Sequence, residues 1–227
     1  LPVPAPDDAT AQSAGVQAAA GSIALISAAV PECRGPLAGN SGSGSVSAPA
    51  PLVSYAHVVA GSAAAALPAG GQALPATVVA FSPDLDLAVL HVPGLTAPAL
   101  VRSEPLAPEA PVAVAGFPGG GPYTVTSGRV RGTVEARGDD IYGAAVVDRE
   151  IYALRAHAEP GNSGGPVLNE AEGITATLQA LQPRRRDGAE LIVVDGRSSH
   201  ARLARCADDR PRLEHDGGPR GHPRAPR

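Results

Sequence analysis

The chain has 227 residues, of which 44% are hydrophobic and 3% aromatic, and its formal net charge is -4 at pH 7. This length is enough for one all-β domain of ordinary size or two small ones, with a sizeable core. The negative net charge argues against a general nucleic-acid or anionic-membrane surface, because both partners usually require a basic face.

The first residues are rich in Ala, Pro, Asp and Ser and show no periodicity. Residues 1–18 are therefore expected to form a disordered linker. The uncharged segment Ala14 to Val30 is too weakly apolar and too short to be a confident membrane span. The chain begins with Leu1, so we expect it to be a fragment from which a preceding signal peptide or anchor has been removed.

Short apolar runs broken by Gly and Pro follow along the chain and predict an all-β sandwich or barrel set. No long stretch has a strong helical period, although His57 to Ala66 fits a short helical turn. The runs are Ile23 to Val30, Ala76 to Phe81, Leu87 to Val92, Val112 to Ala115, Gly128 to Val134, Ile151 to Ala156, Ile174 to Leu181 and Leu191 to Val194.

The Pro-rich stretch Ser103 to Pro111 divides these runs into two groups and is a natural connection between two barrels. We therefore expect a domain at residues 19–206, with a first barrel at 19–105 and a second at 106–206. Residues 207–227 lack an apolar pattern and are expected to be a disordered tail.

The heptapeptide Pro160 to Pro166 reads as a serine nucleophile, Ser163, in a turn that binds an oxyanion. A serine nucleophile needs a histidine base and a carboxylate that orients the base, and His57 and Asp86 precede it in that order. The alternatives are an ordinary Gly-Ser turn, a histidine packed against its valine neighbours, and Asp84 in place of Asp86.

The remaining candidate sites are weaker. Cys33 and Cys206 are either a disulfide pair in an oxidising compartment or two unrelated thiols, because the sequence does not give their separation. No His, Cys, Asp and Glu cluster has metal-ligand spacing. The segment Gly116 to Gly121 lacks the ending of a phosphate loop. We therefore expect hydrolysis without a cofactor or metal.

Five motifs in this order resemble the trypsin-like serine proteases, and the HtrA-like group in particular: Ala56-His57-Val58-Val59, Asp86-Leu87-Ala88-Val89-Leu90, Gly116-Phe117-Pro118-Gly119-Gly120, Val125-Thr126-Ser127-Gly128 and Gly161-Asn162-Ser163-Gly164-Gly165-Pro166. Two further segments resemble the MarP family of actinobacterial acid-resistance periplasmic proteases: Asp140-Ile141-Tyr142-Gly143 and Arg149-Glu150-Ile151-Tyr152-Ala153-Leu154-Arg155-Ala156.

This resemblance implies an all-β fold of two six-stranded antiparallel β-barrels of the chymotrypsin type, with the active site in the cleft between them. It implies an extracytoplasmic, periplasmic or secreted endopeptidase that acts on proteins or peptides in an envelope, acid or oxidative stress response. A membrane anchor would precede Leu1. A disulfide between Cys33 and Cys206 also fits the family.

The same resemblance assigns roles to residues of the site. His57, Asp86 and Ser163 would be the catalytic triad, and the backbone N–H groups of Gly161 and Ser163 would form the oxyanion hole. His157, six positions before the nucleophile, would lie at the base of the specificity pocket. The alternative for His157 is a histidine that faces solvent.

The chain departs from the family pattern in two places. Ser54-Tyr55 replaces a pair of small residues before His57, and the expected strand and glycine pattern after Pro166 fades. An alternative function is therefore a catalytically impaired trypsin-like fold that serves as a peptide-binding or interaction module.

Overall fold

The computed structural model describes residues 3–30, 38–47, 51–68, 71–170, 173–179 and 191–195. Within these ranges strands dominate and helices are short. In chain order the helices and strands are α1 (Asp8–Ala11), α2 (Ala14–Ala18), β1 (Ile23–Val30), β2 (Ala38–Val46), β3 (Pro51–Ser54), α3 (Ala56–Val59), β4 (Ala63–Pro68), β5 (Leu74–Ser82), β6 (Leu87–His91), β7 (Val101–Arg102), β8 (Pro111–Gly116), β9 (Thr124–Asp139), β10 (Val146–Ala156), β11 (Pro166–Leu168), β12 (Gly173–Gln179) and β13 (Leu191–Asp195).

The first six strands form a closed barrel in the order β1-β2-β3-β6-β5-β4. All neighbours in this barrel are antiparallel. Its core is aliphatic, with Ile26, Leu52, Leu87 and Leu90 fully buried. Each such side chain contributes about 2 kcal/mol through burial of apolar surface. The first barrel thus builds its core from aliphatic side chains together with Tyr55, and the chain contains neither Trp nor Met.

The second sheet has seven strands in the order β11-β8-β9-β10-β13-β12-β7. An additional pairing of β11 with β12 brings six of these strands into a closed circuit. The predicted all-β fold with two antiparallel barrels is thus confirmed, with one difference in strand count. The seventh strand, β7, comes from the connection between the barrels and adds to β12 in parallel.

The beginning of the chain differs from the disordered linker that we expected. It forms α1 and α2, and the Asp7 carboxylate caps α1 by accepting from the Ala9 N–H at 3.0 Å. Val16 and Ala19 are buried in an apolar cluster with residues of β1, β8 and β11. The composition suggested a linker because small and polar residues predominate, but these two apolar residues anchor the segment to the protein.

A long hairpin of β9 and β10 extends from the second barrel. Its tip is ordered by Asp140, whose carboxylate accepts from the backbone N–H groups of Tyr142 and Ala144, each at 2.9 Å. These bonds, that from Ala144 foremost, lower the pKa of Asp140 below its ordinary value because they favour the charged form. The charged carboxylate therefore supports the turn at neutral pH.

Two predictions from the sequence lie outside the described residues. These are the disulfide between Cys33 and Cys206 and the disordered tail at residues 207–227. Among the helices that the structure does describe, none has the length and apolar character needed to cross a membrane.

Candidate active site

His57 lies on the single helical turn α3, which begins directly after β3. Its neighbours Ala56, Val58 and Val59 are buried, so they hold the helix against the first barrel. The ring of Tyr55 is stacked on the imidazole, with 5.5 Å between the ring centroids and an interplanar angle of 17°. Tyr55 is almost fully buried. The unusual tyrosine therefore fixes one face of the candidate base.

Asp86 lies in the tight turn between β5 and β6 and is 1% exposed. Its carboxylate accepts from His57 twice, from ring Nδ1 at 2.7 Å and from the backbone N–H at 2.9 Å. This pairing places the ring proton on Nδ1 and leaves Nε2 as the basic nitrogen. Asp84, the alternative carboxylate, is exposed.

The backbone of Asp86 has a positive φ of 52°, in the left-handed region. A side chain that is not glycine costs about 1 kcal/mol or more in this region. Asp and Asn tolerate it better than most residues, since their short polar side chains can bond locally. The two bonds to His57 are a physical reason for this conformation, because both carboxylate oxygens reach the histidine from this turn.

Ser163 lies in the second of two successive β-turns. In each turn the N–H of the last residue donates to the carbonyl of the first, at 3.0 Å in Glu159–Asn162 and at 2.9 Å in Asn162–Gly165. The third residue of each turn is a glycine with positive φ, Gly161 at 99° and Gly164 at 85°. Such a φ is typical of a type II turn and favours glycine. The glycine spacing of the heptapeptide is thus explained by the two turns.

These turns bring the serine of the second barrel against the first barrel. The Ser163 carbonyl accepts from the Ser43 N–H at 2.7 Å. A Cβ added to Gly164 would meet the backbone of Ser43 and would lie 3.1 Å from the Tyr55 nitrogen. The nucleophile turn and the segment that carries His57 are therefore neighbours. Within the described residues, no hydrogen bond joins Ser163 directly to His57.

Two carbonyl bonds orient the predicted oxyanion donors. The Pro160 carbonyl, which precedes Gly161, accepts from the Gly119 N–H at 2.6 Å. The Asn162 carbonyl, which precedes Ser163, accepts from the Gly165 N–H at 2.9 Å. In a trans peptide the N–H points away from the carbonyl of the same plane. Each bond therefore directs the following N–H, of Gly161 or of Ser163, to the opposite side of its peptide.

His157, the predicted pocket residue, is well exposed, with 63% of its side chain accessible. Its ring Nε2 lies 2.8 Å from the Glu159 carboxylate, and its backbone carbonyl accepts from the Thr126 hydroxyl at 2.9 Å. Glu159 was not predicted from the sequence as a partner of His157. A contribution of His157 to substrate preference remains a prediction.

Ser43 also belongs to this site and was not predicted from the sequence. It lies outside the apolar runs and the motifs, whereas the structure places it on β2, where its hydroxyl donates to the Gly161 carbonyl of the turn that carries Ser163. Among the described residues, no group of three or more His, Cys, Asp and Glu side chains is arranged to hold a metal ion.

Comparison with known proteins assigns the chain to a family. The model of the trypsin-like peptidase domain matches residues 42–174. Serine protease Rv3671c of Mycobacterium tuberculosis (strain ATCC 25618 / H37Rv) is 40% identical over 171 residues, which are 74% of this chain and 42% of that protein. The chain thus spans about two fifths of the length of this curated relative.

Two solved structures of the Rv3671c protease are similar to the fold described above. The active form has a TM-score of 0.84 at 34% identity and covers 91% of this chain and 89% of that chain. The inactive form has a TM-score of 0.79 at 32% identity and covers 91% of this chain and 99% of that chain. The predicted resemblance to the MarP group is confirmed, since Rv3671c is MarP. The family match covers more than half of the sequence, and the chain therefore belongs to the trypsin-like peptidases.

Proposed function

We propose that the chain is a serine endopeptidase in which Ser163 is the nucleophile, His57 the general base and Asp86 the orienting carboxylate. The observation that carries this proposal is the double hydrogen bond of the buried Asp86 to His57, next to the turn that presents Ser163. A buried charge is retained when it is paired and hydrogen-bonded. The Asp86 carboxylate meets this condition through its two hydrogen bonds to His57, the residue whose ring it orients.

The reaction follows from this arrangement. His57 Nε2 removes the hydroxyl proton of Ser163 as the serine oxygen bonds to the carbonyl carbon of the substrate. The proton then passes to the leaving amine as the C–N bond breaks, which leaves an acyl-enzyme on Ser163. Water attacks this ester with the same base, and the acid product leaves as the serine hydroxyl is restored.

The developing oxyanion is stabilised by the N–H groups of Gly161 and Ser163. Their orientation is supported by the carbonyl bonds described above, which hold the two peptides in place before substrate binds. Loss of one such donor typically costs about 3 kcal/mol in the transition state. No cofactor or metal takes part in these steps.

Proteins or peptides are the proposed substrates, and the proposed location is outside the cytoplasmic membrane. The support for the substrates is the similarity to Rv3671c, which is named a serine protease. The support for the location is the resemblance to the MarP family of periplasmic proteases. We extend the same proposal to an anchor that precedes this part of the chain, and to a role in envelope, acid or oxidative stress. The competing function is a trypsin-like fold that binds peptides without turnover.

A fluorophosphonate probe separates these two functions, because it bonds only to an activated serine. Stoichiometric labelling at Ser163, located by mass spectrometry, is the expected result. Ser163→Ala and His57→Ala should abolish labelling. His91→Ala is the matched control, because His91 is an exposed histidine of the same barrel, and it should label fully.

Hydrolysis of an unfolded protein and of short ester substrates should accompany labelling. A folded wild-type domain that fails to label would overturn the proposed mechanism and favour the binding module. Labelling with ester cleavage but no peptide cleavage would contradict the endopeptidase.

A further inference from the structure

We propose that Ser43 is a positioning residue that holds the nucleophile turn Glu159–Gly165 in its reactive geometry from the opposite barrel. This inference rests on the serine endopeptidase function proposed above. Ser43 belongs to β2 of the first barrel and is completely buried. It contacts the turn without touching the reacting atoms in the mechanism above, so its effect on catalysis is indirect.

The hydroxyl of Ser43 connects two segments of the second barrel. Its Oγ donates to the Gly161 carbonyl at 2.8 Å and accepts from the Phe117 N–H at 3.0 Å. A hydroxyl that donates and accepts at once polarises both bonds, which strengthens them in a buried setting. One side chain of the first barrel therefore fixes both the nucleophile turn and the loop that follows β8.

The backbone of Ser43 adds two further bonds. Its N–H donates to the Ser163 carbonyl at 2.7 Å, and its own carbonyl accepts from the Ser54 hydroxyl at 2.7 Å. Ser54 precedes Tyr55 and the helix that carries His57. Ser43 thus lies between the segment of the base and the turn of the nucleophile, and it bonds to both.

The bond to Gly161 matters because this residue has little conformational restraint of its own. Glycine populates positive and negative φ about equally, so the peptides beside it can rotate at low cost. The Ser43 hydroxyl holds the carbonyl on one side of Gly161. The same hydroxyl accepts from the Phe117 N–H and so fixes the loop after β8. In that loop the Gly119 N–H donates to the Pro160 carbonyl, on the other side of Gly161. The N–H of Gly161, a proposed oxyanion donor, lies between these two anchors.

The surroundings of Ser43 admit only a small side chain. A Cβ added to Gly116 would lie 2.7 Å from the Ser43 Oγ, and one added to Gly165 would lie 3.2 Å from the Ser43 Cβ. Alanine fits this space, because it removes the hydroxyl and adds no atom. Ser43→Ala therefore tests the two hydroxyl bonds without a steric clash.

Ser45→Ala is the matched control. Ser45 is also buried, lies on the same strand and points to the same face two residues later. Its side chain makes no hydrogen bond to the Glu159–Gly165 turn among the described residues. Both variants lose one buried hydroxyl from the same face of β2, but only Ser43→Ala removes bonds to the Gly161 carbonyl and the Phe117 N–H. The melting temperatures show how much stability each variant loses.

The experiment measures kcat and KM on a peptide substrate, the Ki of a peptidyl aldehyde and the melting temperature of wild type, Ser43→Ala and Ser45→Ala. We expect Ser43→Ala to lower kcat by about tenfold to a hundredfold, since loss of one oxyanion donor costs about a hundredfold or more. KM should change by less than about threefold. The aldehyde, whose adduct places an oxyanion in the hole, should lose affinity in parallel with kcat/KM.

A Ser43→Ala variant that keeps the wild-type kcat would overturn the inference. A decrease of kcat that Ser45→Ala reproduces, or a loss confined to KM, would overturn it as well. If Ser43→Ala does not fold, Ser43→Cys replaces the hydroxyl with a weaker donor and should show the same split between kcat and KM. A folded wild-type domain without any peptide hydrolysis would instead contradict the proposed function, which separates the two failures.

Discussion

Arg149 donates a hydrogen bond from its Nε to the backbone carbonyl of Asp84, with the two atoms 2.7 Å apart. Arg149 belongs to β10 in the second barrel, whereas Asp84 lies in the β5–β6 turn of the first barrel, two residues before Asp86. A second nitrogen of the same guanidinium donates to the Asp139 carbonyl at 3.3 Å. The long hairpin is thus bonded to the turn that carries the candidate catalytic carboxylate.

Arg149→Ala should lower kcat by about tenfold, because displacement of a catalytic group by about 1 Å can cost a hundredfold in rate. Steady-state kinetics on a peptide substrate give the measurement. Arg137→Ala is the control, since Arg137 is a highly exposed arginine of the same hairpin, 3.9 Å from the Asp148 carboxylate. Equal kinetics for both variants would show that the hairpin bond does not support the site.

Asp86→Asn should lower kcat by about ten-thousandfold, because an amide no longer holds the imidazole tautomer that leaves Nε2 free. Asparagine tolerates a positive φ, so the turn itself should persist. Circular dichroism and the melting temperature check the fold beside the kinetics. Asp84→Asn changes an exposed carboxylate in the same turn and should leave kcat within about twofold. A large loss in Asp84→Asn with full activity in Asp86→Asn would reverse the assignment.

Gly161→Ala should lower kcat at least a hundredfold, because the new Cβ would meet the Phe117 carbonyl and would lie 2.6 Å from the Gly119 nitrogen. Gly143→Ala separates this collision from backbone strain. Gly143 also has a positive φ, 66°, but nothing lies within 4 Å of an added Cβ. It should lose only about 1 kcal/mol of stability and keep its kcat. Equal losses of kcat would indicate strain alone.

Tyr123→Phe should make the domain less sensitive to alkaline pH. Burial raises the pKa of Tyr123 from 10.0 to about 12, so the folded state resists ionisation more than the unfolded state does. The resulting stability is complete below about pH 10 and is lost as the pH rises towards 12. Its hydroxyl is buried and has no hydrogen-bond partner among the residues that the structure describes, so phenylalanine should be neutral or stabilising at neutral pH.

Urea unfolding at about pH 7 and about pH 11 measures this difference. The gap between Tyr123→Phe and wild type should widen at the higher pH, whereas Tyr142→Phe, at a tyrosine that is 62% exposed, should follow wild type. A constant gap at both pH values would contradict the predicted effect of burial.

The apolar runs predicted most of the strands that have an aliphatic pattern. The run Ile23 to Val30 coincides with β1 in both bounds, and the runs near residues 112 and 151 lie within β8 and β10. The pairing of His57 with Asp86 also agrees with the motif order. These features could be predicted because each is encoded locally, by side-chain alternation or by a short motif.

The strand β2 could not be predicted in this way, because its alternating glycines and serines are typical of a loop. The structure shows why these residues are small. A Cβ added to Gly42 would lie 2.7 Å from the Val58 side chain and 3.0 Å from the Ser163 carbonyl. The composition of β2 is set by a contact with a turn more than a hundred residues later, and local sequence does not contain that information.

The expected helical turn from His57 to Ala66 is only partly correct. The helix α3 ends at Val59, and the alanines from Ala63 belong to β4. Alanine has the highest helix propensity, yet these residues pair with β1 and β5. Barrel closure requires a strand at this position, so tertiary structure overrides the local preference.

The apolar cluster around Val16 belongs to neither barrel alone. It joins the N-terminal segment to Ile23 of the first barrel and to Ala113 and Leu168 of the second. The segment before β1 therefore packs against both barrels at once. A shorter segment would lose contacts that fix the position of one barrel relative to the other, while the core of each barrel would stay intact. We expect the alignment of Ser163 with His57 to suffer, because the two residues belong to different barrels.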